Sequence, residues 1–251
     1  MSFVVIIPAR YESSRLPGKP LKLIAGVSMI QRVWQQACKS QASRVIIATN
    51  DVRIETAASG FGAEVCMTRS DHESGTDRLQ EVVGKLRFSD DQLVVNVQGD
   101  EPLIPPEVIN QVAGNLASNP VAGVATLCEP IFEKSALYNS NVVKVISRAD
   151  GMAHYFSRAP IPYRRDELPD SPIEAHRHIG IYAYRVRELN SFITWSSAPT
   201  ERIESLEQLR FLYNQVSIHV DNAVAEVPAG VDTWEDLLAV EKLLCDQAKN
   251  K

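Results

Sequence analysis

Short runs of β-branched and aliphatic residues alternate with helical apolar patterns along the first half of the chain, and this alternation limits the fold more than any other feature. Four runs have the length and composition of strands, at 3–7, 44–49, 63–67 and 93–97. Between and after them, apolar residues recur at helical spacing over 29–38, 79–86 and 108–116. Because the strands are apolar on both faces, we expect a mostly parallel central sheet flanked by helices, in a single α/β domain over residues 1–251.

The alternation weakens in the middle of the chain, at about residues 128–185. Two strand-like runs, at 142–146 and 153–157, precede a segment rich in charge and in proline: Pro160, Pro162, Pro169 and Pro172. We interpret 128–185 as a β-rich insertion with a mobile connection. Beyond it, the spacing of Ile203, Leu206, Leu209 and Tyr213 predicts a helix. A last helix is expected after Asp232, where Thr233 and Asp236 have the spacing of a capping box.

Composition argues against several kinds of partner. The chain has 31 acidic and 26 basic residues, a net charge of -5, which disfavours a protein held to nucleic acid by phosphate neutralisation. The first apolar run ends after five residues at Pro8, and no other run is long enough for a signal peptide or a membrane span. The four cysteines lack C-x-x-C spacing, which is typical of reduced thiols. Together these features predict a cytoplasmic protein with no nucleic-acid and no membrane partner.

The loop after the first strand carries three cations, Arg10, Arg15 and Lys19. In an open parallel sheet, ligands bind at the carboxyl ends of the strands. Guanidinium and ammonium groups there can bind a triphosphate, so we expect a nucleotide-binding domain. The loop is not a Walker A motif, because Ser13 stands at the first glycine position and Pro20 follows Lys19, and it is not a G-x-G-x-x-G turn. The alternative is a solvated basic loop.

Two carboxylates are candidates for a magnesium site. Asp100 follows an apolar strand within Gln98-Gly99-Asp100-Glu101-Pro102, and Asp232 precedes the last helix within Gly230-Val231-Asp232-Thr233. Mg²⁺ usually binds one or two carboxylates together with substrate phosphates and water. The alternatives are an ordinary turn at Asp100 and a helix cap at Asp232.

Seven segments occur in a specific order along nearly the whole chain. They are 7–10 with 14–21, 74–78, 96–102, 155–158, 177–182, 206–210 and 230–233. Together they resemble the 3-deoxy-manno-octulosonate cytidylyltransferases, also called CMP-Kdo synthetases, a family of sugar nucleotidyltransferases. The resemblance implies transfer of CMP from CTP to the anomeric hydroxyl of an acidic octulosonate with Mg²⁺ as cofactor, release of pyrophosphate, a place in lipopolysaccharide synthesis, and a homodimer whose interface is the β-rich insertion.

The resemblance also implies a role for each matching residue. Catalysis would fall to Arg15, Lys19, Asp100 and Asp232, with Asp100 and Asp232 holding the metal. The nucleotide would be bound by Ala9, Arg10, Arg15, Lys19, Ser74, Arg78 and Asp100. The sugar-acid pocket, assigned to the β-rich insertion, would be lined by Gln98, Arg158, His178, Tyr182, Glu207 and Gln208.

Two departures and several rival functions accompany the resemblance. Gly26-Val27-Ser28 replaces the more usual Gly-Lys-Pro, which should be harmless, while the stretch 164–175 is short and affects the shape of the sugar pocket. Close rivals are cytidylyltransferases for a sialic acid or for the 8-amino octulosonate. A glycosyltransferase of similar fold would need an Asp-x-Asp motif where this chain has Gly-Asp-Glu-Pro. A non-catalytic nucleotide sensor is disfavoured by Lys19, Asp100 and Asp232.

Overall fold

The computed structural model describes residues 2–13, 15–72, 74–166 and 173–249. Ser14 of the basic loop and Pro169 and Pro172 of the proline-rich connection therefore lie outside the described residues. The strands are β1 (Phe3–Ala9), β2 (Leu23–Ile24), β3 (Val27–Ser28), β4 (Arg44–Thr49), β5 (Glu64–Met67), β6 (Leu93–Asn96), β7 (Val124–Pro130), β8 (Lys144–Ser147), β9 (Ala153–Ser157), β10 (His176–Arg185) and β11 (Ile218–Asn222). The helices are α1 (Met29–Cys38), α2 (Val52–Gly60), α3 (Gly75–Lys85), α4 (Pro106–Ser118), α5 (Lys134–Tyr138), α6 (Val186–Phe192), α7 (Pro199–Glu204), α8 (Leu209–Tyr213) and α9 (Trp234–Lys249).

A nine-stranded sheet forms the centre of the molecule. Seven strands follow the order β11-β7-β10-β6-β1-β4-β5, and the β8–β9 hairpin is attached through β8 to β10. Neighbours along the main path are parallel except β10, which is antiparallel to both β6 and β7. The prediction of a mostly parallel sheet flanked by helices is confirmed. The carboxyl ends of β6, β1, β4 and β5 consequently meet at one edge.

Both faces of the sheet are covered because its central strands are apolar on both sides. Along β1, Val5 and Ile7 pack with apolar residues of α1, α2 and α4, while Val4 and Ile6 pack with α3, α6 and α8. This division follows from the alternation of side chains along a strand. A smaller cluster joins α9 to the basic loop through Leu16, Val231 and Leu237. The loop is therefore anchored to the last helix.

The segment 128–185 begins inside β7 and ends with β10, both of which belong to the main sheet. Between them, β8 and β9 form an antiparallel hairpin. Its designation as an insertion stays a prediction.

The single helix predicted over 203–213 is wrong. Ser205 has a φ of 51°, in the left-handed region, and it separates α7 from α8. Ile203 and Tyr213, expected on the buried stripe, are 82% and 62% exposed. The capping box of the last helix is confirmed: the Thr233 N–H donates to Asp236 Oδ2 over 2.8 Å, and the Asp236 N–H donates to Thr233 Oγ1 over 3.2 Å.

Candidate active site

A cavity of about 450 Å³ opens at the edge of the sheet where β1 and β6 end. The basic loop forms one wall, the turn after β6 forms another, and the segment before α9 closes the third side. Its lining contains Pro8, Ala9, Arg10, Glu12, Ser13, Arg15, Lys19, Pro20, Gly75, Gln98, Gly99, Asp100 and Asp232. Seven residues predicted for the site are thus brought together: Ala9, Arg10, Arg15, Lys19, Gln98, Asp100 and Asp232.

The basic loop folds back on itself at Gly18. The Gly18 N–H donates to the Tyr11 carbonyl over 3.2 Å, and Gly18 has a φ of 68°, which favours glycine. The Tyr11 ring lies against Gly18 on one side, and the Arg53 guanidinium lies 3.3 Å from its centroid. Arg53 in turn pairs with Asp51 over 2.6 Å. These contacts fix the turn that delivers Lys19 into the cavity.

Lys19 lies between the two carboxylates that the sequence assigned to a metal. Its Nζ is 2.7 Å from Asp100 Oδ2 and 3.1 Å from Asp232 Oδ1, and the Lys19 side chain is 14% exposed. Burial lowers the pKa of Lys19, but Asp100 and Asp232 raise it by more, so the amine remains charged. Arg15 makes a further ion pair with Asp232 over 3.1 Å. Three segments that are distant in sequence therefore meet at one cluster of alternating charge.

The Asp232 carboxylate is available to this cluster because other residues cap α9. Thr233 and Asp236 form the capping box, and Asp236 also accepts the Asp232 N–H over 3.0 Å. The Val231 N–H donates to the Asp100 carbonyl over 2.8 Å, which ties the two metal-candidate segments together. The alternative that Asp232 serves only as a helix cap is wrong.

Gly99 is a site residue that the sequence reasoning did not single out. A Cβ at this position would lie 2.7 Å from the Pro8 carbonyl oxygen, which is closer than real contacts allow. A side chain there would push the turn after β6 away from the end of β1. The available sequence signal was a glycine next to a carboxylate, directly after a central strand.

The first turn of α3 borders the cavity through Gly75. Ser74 caps the helix, since its Oγ accepts the Asp77 N–H while Asp77 accepts the Ser74 N–H. Arg78, predicted beside the nucleotide, does not line the cavity: it is 1% exposed and donates to Thr68 Oγ1. Burial, followed by the charge of Arg10, lowers the pKa of Arg78. Its Nε has no hydrogen-bond partner among the described residues.

Of the residues predicted for the sugar pocket, Gln98 alone lines this cavity. His178 and Tyr182 lie on β10 in a row of rings, with centroid distances of 5.0 Å from Phe156 to His178 and 5.3 Å from His178 to Tyr182. Burial, then Arg177, lowers the pKa of His178 to about 3, so its ring is neutral at physiological pH. His178 Nε2 lies 3.0 Å from the hydroxyl of Thr126. This histidine is consequently suited to hydrogen bonding and not to carrying charge.

Glu207 and Gln208 lie between α7 and α8. Gln208 is buried, and the Glu207 carboxylate accepts a hydrogen bond from the hydroxyl of Thr76 in α3. Burial raises the pKa of Glu207. Glu207 therefore connects the residues predicted to bind the sugar with α3, whose first residue, Gly75, lines the cavity.

Arg158 is held by main-chain carbonyls. Its Nε donates to the Glu204 carbonyl over 2.6 Å, its Nη1 to the Ser140 carbonyl over 2.9 Å, and its Nη2 to the Ser205 carbonyl over 3.3 Å. Carbonyl oxygens carry only partial charge, so the guanidinium is hydrogen-bonded without being neutralised by these contacts. Its predicted role toward a sugar carboxylate stays a prediction.

The two carboxylates fit a divalent cation. A cation, the Lys19 ammonium, already lies within 3.1 Å of both of them. Among the described residues, no group of three or more His, Cys, Asp or Glu side chains has the geometry of a metal site. A metal held by Asp100 and Asp232 would need further oxygen ligands, and phosphates in the cavity could supply them.

Comparison with known proteins agrees with this geometry. Residues 4–218 match the family model for cytidylyltransferases. The chain is 59% identical to the 3-deoxy-manno-octulosonate cytidylyltransferase of Marinobacter nauticus and 57% identical to that of Pseudomonas syringae pv. syringae, and each match covers at least 97% of both chains.

Two solved structures are similar as well. A CMP:2-keto-3-deoxy-manno-octonic acid synthetase complexed with CTP has a TM-score of 0.91 and 40% identity, with 98% of this chain and 100% of that chain covered. A cytidylyltransferase from Leptospira borgpetersenii, at 13% identity with a TM-score of 0.60, shares the fold and covers 99% of this chain and 95% of that one. The family match and the relatives of more than 50% identity show that this chain belongs to the cytidylyltransferases, within the branch of the 3-deoxy-manno-octulosonate cytidylyltransferases.

Proposed function

We propose that this chain transfers CMP from CTP to the anomeric hydroxyl of 3-deoxy-D-manno-octulosonate, giving the CMP sugar and pyrophosphate. The observation that carries the proposal is the cavity in which Lys19, Asp100 and Asp232 meet, in a chain that is 59% identical to a relative of that name over 97% of both lengths. The activated sugar would serve lipopolysaccharide synthesis in the cytoplasm. Among the described residues, the protein has no helix that is long and apolar enough to span a membrane.

In the proposed reaction, the sugar hydroxyl oxygen forms a bond to the α-phosphorus of CTP. The bond from that phosphorus to the bridging oxygen breaks, pyrophosphate leaves with the electron pair, and the hydroxyl proton passes to solvent water. Arg10, Arg15 and Lys19 line the cavity and would bind the triphosphate. Because negative charge grows on the leaving pyrophosphate, cations positioned there stabilise the transition state more than the ground state.

Asp100 and Asp232 would hold Mg²⁺. When bound, the metal supplies positive charge beside the phosphates and favours ionisation of a nearby hydroxyl. The chain's own contribution is to keep the two carboxylates close together, which it does through the hydrogen bond between the Val231 N–H and the Asp100 carbonyl.

The sugar acid would bind beside Gln98 and contact His178, Tyr182, Glu207 and Gln208. Arg158 is the candidate partner of its carboxylate. Because His178 is neutral, the positive charge for that carboxylate must come from an arginine or lysine. Arg158 would have to exchange at least one of its carbonyl partners for the sugar.

The experiment combines purified protein and Mg²⁺ with each of the four nucleoside triphosphates and with a panel of acidic sugars, and measures pyrophosphate release. We expect release with CTP and the octulosonate together, and little with either alone. Preference for a sialic acid or for the 8-amino octulosonate would reassign the sugar. CTP binding without turnover on any sugar would favour a nucleotide sensor.

We also infer a homodimer in which residues 128–185 form the interface. Three aromatic side chains in that range are strongly exposed, Phe132 at 82%, Tyr138 at 62% and Tyr163 at 82%. Exposed large apolar side chains are typical of protein interfaces where they form one patch, so the proposed interface requires these three rings to share a contact.

A further inference from the structure

Thr76 links the cavity to Glu207, although its own side chain faces away from solvent. It lies in the first turn of α3, directly after Gly75 of the cavity wall, and it is 1% exposed. Its hydroxyl donates to Glu207 Oε1, a carboxylate 131 residues further along the chain. Burial raises the pKa of Tyr184 on β10, and the nearby side chains of Thr76 and Asn96 act against that rise. Thr76 is therefore the point where a side-chain hydrogen bond joins α3 to the segment before α8, beside Tyr184 of β10.

The hydrogen bond between Thr76 and Glu207 has one direction. A carboxylate oxygen accepts, so the Thr76 hydroxyl donates its single proton to Glu207. Removal of the hydroxyl leaves this carboxylate oxygen without that donor.

We propose that Thr76 is a positioning residue, which holds the Glu207 carboxylate in the orientation that the sugar acid requires and fixes it relative to the nucleotide cavity. The proposal rests on the function proposed above, in which Glu207 contacts the sugar. Its basis is the buried hydroxyl, its bond to Glu207, and the position of its neighbour Gly75 in the cavity wall.

The Thr76 side chain also lies near the rings on β10, since it acts on the pKa of Tyr184. The Tyr184 ring stacks on Tyr182 at 5.7 Å with an angle of 21°, and Tyr182 lies against His178. Both Tyr182 and His178 are expected to line the sugar pocket. Burial raises the pKa of Glu207, and hydrogen bonds with Thr76 and Ser74 act against that rise. Loss of the Thr76 hydroxyl should therefore disturb sugar binding more than nucleotide binding.

The test compares Thr76→Val, which keeps the shape and removes the hydroxyl, with Thr76→Ser, which keeps the hydroxyl. Loss of a buried hydrogen-bond donor to a carboxylate costs enough free energy that kcat/KM for the octulosonate should fall by roughly ten- to a hundredfold in Thr76→Val. The Kd of CTP, measured by calorimetry without sugar, should change less than about twofold. Thr76→Ser should return kcat/KM to within about threefold of the original protein. Thr56→Val, at an exposed position in α2, is the matched control and should have no effect.

A double-mutant cycle with Glu207→Gln tests the path of the effect. If Thr76 acts through Glu207, Thr76→Val should lower sugar kcat/KM far less in the Glu207→Gln background. Should Thr76→Val fail to fold, Thr76→Ala, which also removes the hydroxyl, replaces it in the same measurements, with a similar loss of sugar kcat/KM and unchanged CTP affinity expected.

Three results would overturn the proposal: loss of melting temperature with an unchanged sugar KM, an equal loss of CTP affinity, or a Thr76→Ser protein as impaired as Thr76→Val. Failure of the proposed function would be recognised by a different result. If the original protein turns over a different acidic sugar, the substrate assignment falls, and the Thr76 comparison is made with that sugar.

Discussion

Asp232 lies one residue before the cap of α9, and its carboxylate pairs with Lys19 and Arg15 while Thr233 and Asp236 do the capping. Sequence patterns placed the three cavity residues Lys19, Asp100 and Asp232 at strand ends and at a helix start. They could not show that Lys19 bridges the two carboxylates, because that contact joins residues 81 and 213 positions apart. Arg78 was expected beside the nucleotide because it matches a family motif. A motif does not reveal that this arginine is buried and donates to Thr68.

Substitutions of the nearby acidic residues Asp232 and Asp236 should separate a role in the metal site from a role in capping α9. Asp232→Asn is expected to lower turnover by at least about tenfold, because it removes a charge from the metal-candidate pair. Its melting temperature should stay close to that of the original protein. Asp236→Asn should instead reduce the free energy of unfolding by roughly 0.5–2 kcal/mol through the weakened cap, with little change in turnover.

Steady-state kinetics at several Mg²⁺ concentrations and thermal unfolding, applied to both variants, make the distinction. An Asp232→Asn protein with normal rates and normal Mg²⁺ dependence, but reduced stability, would contradict the assignment.

The helix α3 shows how local sequence and tertiary contacts combine within one element. Its apolar stripe was predicted from the sequence, whereas its start was not, although Ser74 and Asp77 form a capping box in the structure. Its contacts with the loop after β5 were not predictable, because they are tertiary contacts. In these contacts Glu81 of α3 accepts hydrogen bonds from His72 and from the Arg69 N–H, and it also pairs with Lys85. The error over 203–213 has a similar cause: the spacing was helical, but the left-handed Ser205 interrupts the chain.

Glu81 should make the protein more stable at neutral than at acid pH. Burial raises the pKa of Glu81, but hydrogen bonds from Lys85, Arg69 and His72 outweigh burial and bring the pKa to about 2, below the ordinary value of 4.5. The unfolded chain therefore takes up a proton at a higher pH than the folded chain. The stability from Glu81 is complete above about pH 4.5 and is lost as the pH falls toward 2.

Denaturant unfolding of the original protein and of Glu81→Gln, at pH 7 and at several values down to pH 3, checks this expectation. The difference in unfolding free energy should be on the order of 1–3 kcal/mol at pH 7 and should shrink as the pH falls. Glu55→Gln, in α2, is the control. A difference that is constant with pH would show that Glu81 gains nothing from ionisation.

At the scale of the molecule, the parallel direction of β6, β1, β4 and β5 was predictable from the alternation of apolar runs, whereas the antiparallel direction of β10 was not. Its antiparallel place between β6 and β7 brings His178 and Tyr182 beside the central strands. Strand order depends on contacts between distant segments, which a single sequence does not display. The family resemblance supplied residue roles that periodicity could not.

The exposed aromatic residues of the segment 128–185 lead to a prediction about assembly. Phe132→Asp should convert the proposed homodimer into a monomer, because it places a charge in an apolar contact. Sedimentation velocity at micromolar concentration measures the mass directly. Ile203→Asp, at a position that is equally exposed but lies outside that segment, is the control and should leave the mass unchanged. A monomeric original protein, or a dimer unaffected by Phe132→Asp, would contradict the proposed interface.

The charge cluster that joins residues 19, 100 and 232 predicts that metal and nucleotide bind cooperatively. In the structure, the Lys19 ammonium pairs with Asp100 Oδ2 and Asp232 Oδ1, one oxygen of each carboxylate that would hold the metal. A metal that arrives alone must displace this largely buried ammonium, and a displaced ammonium has lost both of its anionic partners. A triphosphate gives Lys19 and Arg15 new partners and adds oxygen ligands, so each ligand should raise the affinity for the other.

Mn²⁺ is a suitable probe of this coupling, since electron paramagnetic resonance reports the free ion directly. The original protein should bind Mn²⁺ weakly without CTP, and Lys19→Met should bind it at least about tenfold more tightly, because the competing charge is gone. Lys22→Met, three residues further along, should behave like the original protein. The gain in Lys19→Met should disappear when Asp100→Asn is added, since the liberated carboxylate is then removed. Equal Mn²⁺ affinity of the original and Lys19→Met proteins in the absence of CTP would mean that Lys19 does not compete with the metal, and that the ion pairs of the cluster serve only to hold the loop in place.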